Sequence, residues 1–221
     1  MNPVMSRSFN FASCALGALV AFFPAAATAQ SLTGNVGSAG VNPDERGVEA
    51  RIGFDEDGAA GARVHFDQSF SDWYQLRLIG SFSRPDGGDW DYSAFTVENW
   101  FQWREEAADN SGFNGGFRFA YGFADGSGPD EAEVRLTVTD KFADGWEWRA
   151  NVIAEVEAGD GSEGGVELEG RAQLSRSVDV NALGADGWRF GAEVFSEFGN
   201  TRDIPGFDDQ AHQVGPVVKA S

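Results

Sequence analysis

Tyr74-Gln75-Leu76-Arg77-Leu78-Ile79-Gly80-Ser81-Phe82 is the stretch that decides the fold. Tyr74, Leu76, Leu78, Gly80 and Phe82 alternate with Gln75, Arg77, Ile79 and Ser81, and a period of two is the signature of a β-strand with two different faces. The same alternation precedes it in Val48, Ala50, Ile52 and Phe54 against Glu49, Arg51, Gly53 and Asp55, and in Ala62, Val64 and Phe66 against Arg63, His65 and Asp67. It recurs near 92–103, 113–123, 131–139, 146–157, 166–175, 188–198 and 211–219. Runs of about 9–11 residues match a tilted membrane-crossing strand, whereas strands of soluble domains have about 5–6. The pattern predicts an all-β chain, an antiparallel up-and-down transmembrane β-barrel of about ten strands.

Energy orients the strands. On the opposite assignment, Arg63, Asp67, Arg77, Arg118, Glu133, Arg135, Arg149, Glu155, Glu169, Arg171 and Glu193 would lie in hydrocarbon. Each Lys or Arg at the bilayer midplane of a barrel costs about 2–4 kcal/mol, so the charged face must point into the lumen. The expected lumen-lining charges are Arg63, Asp67, Arg77, Glu98, Arg118, Glu133, Arg135, Arg149, Glu155, Arg171, Glu193 and Glu197. The mixture of signs fits either a narrow charged pore or a ladder of Arg–carboxylate pairs filling a small barrel. With alternating strand direction, Trp73 begins the third strand, Trp103 ends the fourth, and Trp146 and Trp188 begin the seventh and ninth. All four fall at one end, as an aromatic girdle does.

The front of the chain reads as an export signal. Arg7 is the only charged residue before Asp44, an apolar run follows from Phe11 to Phe23, and Ala27-Thr28-Ala29 fits the cleavage rule. Residues 1–29 are therefore read as a cleaved signal, 30–44 as a flexible leader and 45–221 as one barrel domain. Ala12-Ser13-Cys14 resembles a lipidation box, but Phe11 sits where Leu is usual and almost no apolar run precedes it, so Cys14, the only cysteine, is read as discarded with the signal. A net charge of −19 excludes nucleic acid as a general partner. Loops such as Pro85-Asp86-Gly87-Gly88-Asp89 and Asp125-Gly126-Ser127-Gly128-Pro129-Asp130 are acidic and glycine-rich. They offer oxygen ligands for Ca²⁺ or Mg²⁺ bridging to lipopolysaccharide, although such loops need Asp and Gly for turn geometry alone. No hydrolase, metalloprotease, P-loop or dinucleotide motif occurs. His65 beside Asp67 is the one thinkable acid–base pair. The expectation is a non-enzyme with no cofactor.

Val97-Glu98-Asn99-Trp100-Phe101-Gln102, Gly128-Pro129-Asp130-Glu131, Glu193-Val194-Phe195-Ser196-Glu197-Phe198-Gly199 and His212-Gln213-Val214-Gly215-Pro216-Val217 together resemble a group of uncharacterised proteobacterial outer-membrane proteins. That group is distantly similar to the barrel and transporter family of phenol-degradation gene clusters. The resemblance implies location in the Gram-negative outer membrane, contact with its lipid and lipopolysaccharide, and passage of small solutes. Proteins of the group continue for about two more strands to an aromatic residue, so it implies twelve strands in a complete barrel. The expected function is a narrow porin or transporter, or a structural membrane barrel. The alternatives are a soluble periplasmic β-barrel that binds a ligand and a barrel-embedded hydrolase.

Overall fold

The structure is a computed structural model that describes residues 34–221 apart from 56, 106–112, 127, 144, 181–186 and 221. The export signal and Cys14 lie outside the described residues. Ten strands follow one another: β1 (Arg46–Phe54), β2 (Ala60–Ser69), β3 (Tyr74–Arg84), β4 (Asp91–Arg104), β5 (Asn114–Ala124), β6 (Asp130–Phe142), β7 (Trp146–Ala158), β8 (Glu167–Val178), β9 (Trp188–Asn200) and β10 (Ala211–Ala220). They form one antiparallel sheet in chain order, so every connection is a hairpin. A short 3₁₀ turn, Phe207–Asp209, precedes β10.

Local chemistry explains the hairpins. At one end of the sheet the acidic connections turn through glycines with positive φ, among them Gly58 (95°) and Gly126 (94°), a conformation that costs glycine little. At the other end β6 and β7 are joined by a tight turn in which Ala143 has φ 34°. The Trp146 N–H donates to its carbonyl at 2.9 Å.

The sheet curls into a half-barrel. Residues 35–42 span its concave side, bonding Ser69 on β2 and Arg171 on β8. β1 and β10 are nevertheless the two edges of the sheet and form no ladder with each other among the described residues. The expected ten up-and-down strands are thus present, curled but not closed.

Burial is inverted relative to a water-soluble sheet. The buried strand residues on the concave face include Asp67, Arg77, Glu98, Arg118, Arg135, Thr137, Thr139, Glu147, Asn151 and Gln173, with Ile79, Ile153 and Val217 as apolar exceptions. The convex face exposes Val48, Ile52, Val64, Phe66, Phe119, Leu136, Val152, Leu174 and Val214.

The N-terminal stretch has a defined place. Within the segment 30–44, read from sequence as a flexible leader, residues 35–42 lie along the concave face and bond to side chains of six strands. Its small residues carry little hydrophobic pattern, but its backbone polar groups need partners. The concave side chains supply them.

Candidate functional site: the charged concave face

Period-two geometry places residues i and i+2 of one strand side by side, and four Glu-x-Arg repeats use this. Arg51 bonds Glu49 at 2.6 Å, Arg135 bonds Glu133 at 2.9 Å, Arg149 bonds Glu147 at 2.7 Å and Arg171 bonds Glu169 at 2.6 Å. The Arg135 pair is bidentate, with a second bond at 3.0 Å. Arg189 on β9 joins Glu147 as well. The planar fork of Arg suits such pairs. The repeated spacing is visible in the sequence as a feature beyond simple alternation.

A second network runs across strands. Asp67, Arg77 and Glu98 stand directly opposite one another on β2, β3 and β4. Arg77 lies 2.6 Å from Asp67 and 3.6 Å from Glu98, and Glu98 reaches Arg118 on β5 at 3.9 Å. Gln75 donates a further bond to Asp67 at 2.9 Å. Trp100 completes the network. Its indole N–H donates to Glu98 at 2.6 Å, and its ring takes the Arg118 guanidinium at 3.3 Å and that of Arg77 at 4.6 Å from the centroid. Two cations against one indole are thereby held beside one carboxylate. Trp100 was not among the expected site residues. Its even position shares a face with Glu98, and that parity is the signal that identifies it.

Of the remaining expected residues, Glu155 stands opposite Glu133 and Glu167, Glu197 opposite Glu169, and buried Glu193 accepts from Gln173 at 3.3 Å. The carboxylates of β6–β9 thus form an acidic wall at the end bearing the glycine-rich loops. Across from it Arg51 and Arg63 stand opposite each other on β1 and β2. Arg63 is the one arginine of the concave face without an ion pair or hydrogen bond among the described residues.

His65 and Asp67 do not form the acid–base pair considered from sequence. Asp67 is engaged by Arg77 and Gln75, and both ring nitrogens of buried His65 have no hydrogen-bond partner among the described residues. Among the described residues no group of three or more His, Cys, Asp or Glu is arranged to hold a metal ion. Trp73, Trp103, Trp146 and Trp188 do lie at one end of the sheet, two of them 54% exposed. Arg176 covers the Trp146 ring.

No protein-family model matches this chain, and neither the curated proteins nor the solved structures searched contain a match. The β-barrel-like fold and the geometry of its concave face therefore carry the functional reading.

Proposed function

We propose that this chain is an outer-membrane β-barrel protein that passes small polar solutes along its charged face, as a narrow porin or transporter. One observation carries the reading: the same strands bury arginine and glutamate and expose valine, leucine and phenylalanine. In water this arrangement forfeits the hydrophobic driving force for folding; beside lipid it satisfies both faces.

The dimensions agree. On β6 the outward residues between Asp130 and Asp140 are Ala132, Val134, Leu136 and Val138. Ten residues span about 33 Å along a strand, and a tilt of about 40° reduces that to a height of about 25 Å, that of the apolar band of membrane barrels. The four tryptophans at one rim then meet the interface. Facing acidic and basic walls favour small zwitterions or anions that Arg63 can pair. The soluble alternative calls for an apolar interior, and the buried concave set is mostly polar, with Ile79, Ile153 and Val217 the apolar exceptions among its strand residues.

Hydrocarbon does not tolerate the free edges of β1 and β10, so the membrane form requires partners for them. The test is fractionation of cells expressing the full chain. The protein should stay in the outer-membrane fraction after carbonate washing and migrate faster on gels when unheated. Recovery in the carbonate supernatant would reject the membrane reading. For purified folded protein, planar-bilayer recording should show small channels, and their absence would leave the structural-barrel version.

A further inference from the structure

Residues 35–42, Asn35-Val36-Gly37-Ser38-Ala39-Gly40-Val41-Asn42, cross the concave face from β8 to β2 as a strap. Their main chain is bound by side chains. The Asn151 carboxamide accepts from the Gly37 N–H at 2.7 Å and donates to the Gly37 carbonyl at 3.1 Å, reproducing the two bonds a neighbouring strand would make. Thr139 accepts from the Ala39 N–H at 3.0 Å and Gln102 from the Val41 N–H at 2.6 Å. Arg118 donates to the Ser38 carbonyl at 2.9 Å and Ser69 to that of Asn42 at 2.6 Å. Arg149 and Arg171 make longer bonds to the carbonyls of Val36 and Asn35, at 3.5 and 3.4 Å.

Shape matches chemistry. A Cβ on Gly37 would come within 2.5–2.9 Å of the Arg118 guanidinium, so any side chain there would push that group off the Trp100 ring and away from Glu98. A Cβ on Gly116 of β5 would lie 2.8 Å from the Ala39 carbonyl. The strap therefore favours a glycine at its centre, and the sheet is notched by Gly116 to receive it. Val36 and Ala39 are buried, so the face accepts small side chains there.

We infer that the concave face is a binding site for an extended peptide backbone with small side chains and a central glycine, and that residues 35–42 are its resident ligand. Recognition through main-chain groups is independent of most of the peptide's identity, as in strand addition to a sheet edge. A segment held this way is exchangeable, because each bond replaces one to water and yields little net stabilisation, while ordering the strap opposes it. The site does not depend on whether the convex face meets lipid.

The test uses the full chain, folded in detergent, with a fluorescently labelled synthetic peptide spanning residues 34–44. In the unmodified protein the amides of Gly37, Ala39 and Val41 should exchange with deuterium at least about tenfold more slowly than in the free peptide, and the labelled peptide should bind weakly. Gly37→Val should abolish that protection and raise peptide affinity, read by anisotropy, at least about tenfold, because the site is vacated. Adding Asn151→Leu should remove the gained binding. The inference is overturned if the three amides exchange at free-peptide rates, if Gly37→Val keeps them protected, if a deprotected Gly37→Val protein does not take up the peptide, or if Asn151→Leu leaves uptake unchanged. Should Gly37→Val fail to fold, Asn151→Leu alone decides: it should free the Gly37 amide while the β6–β7 ladder amides stay slow, and retained protection would refute the site.

Discussion

Along β7, Arg149, Asn151 and Ile153 point to the concave side while Ala150, Val152 and Ala154 point away from it. Val152 is 61% exposed and its neighbour Ile153 is 0% exposed. The two faces of one strand are thus built for different surroundings. The concave face pays for burying charge by pairing nearly every arginine, within a strand through Glu-x-Arg and across strands through Asp67–Arg77–Glu98–Arg118. Among the described residues the convex face carries no such pairs over its middle. Its polar groups sit towards the rims, where Trp148 bonds Asp140 at 3.1 Å and Tyr121 bonds Asp130 at 2.9 Å. A sheet organised this way has its hydrogen-bonded core inside and its hydrophobic surface outside.

The contrast is most severely tested at Glu98. Glu98→Gln removes the carboxylate shared by Arg77, Arg118 and the Trp100 indole, leaving two buried guanidinium groups under-compensated. Loss of one partner of a buried charge network costs about 3–5 kcal/mol, to be read as a shift in the denaturant midpoint of the folded protein. An unchanged midpoint would mean the concave network is solvated. The outer face is probed by Leu136→Arg. Against lipid it should cost about 2–4 kcal/mol in bilayer-folded protein; against water an exposed substitution stays within about 0.5 kcal/mol. The second result would end the membrane interpretation of the convex surface.

Smaller effects sharpen the picture. Ala143→Gly relieves the positive φ in the β6–β7 turn and should stabilise the fold by about 1 kcal/mol, seen as a higher midpoint with an unchanged slope. Arg63→Gln removes the concave arginine that has no ion pair. Removing a desolvated, unpaired charge should leave stability unchanged or raised, while the anion preference of any conductance should fall. A large loss of stability in that variant would show that Arg63 belongs to the structural ladder.

Much of this was legible in the chain because a period of two is a local property. The segment near 131–139 is found within Asp130–Phe142, and that near 146–157 matches Trp146–Ala158. Face assignment followed from the cost of placing charge in an apolar medium; of the expected charges, Asp67, Arg77, Glu98, Arg118, Arg135 and Glu193 are buried. Trp100 escaped notice because an indole among charges reads as part of the apolar face until its parity with Glu98 is considered. The strap escaped because its small residues have no periodicity, and its partners, Asn151 and Thr139, lie more than ninety residues away.

The sequence by itself determined the strands, their order as successive hairpins and which face of each is charged, since these follow from residue-to-residue alternation and short turns. Only the tertiary structure decided how far the sheet curls, that β1 and β10 form no ladder with each other among the described residues, which carboxylate answers which arginine, and that the N-terminal segment lies within the concavity. Those are contacts between residues distant in the chain. Their geometry depends on curvature and register summed over ten strands, which no local pattern encodes.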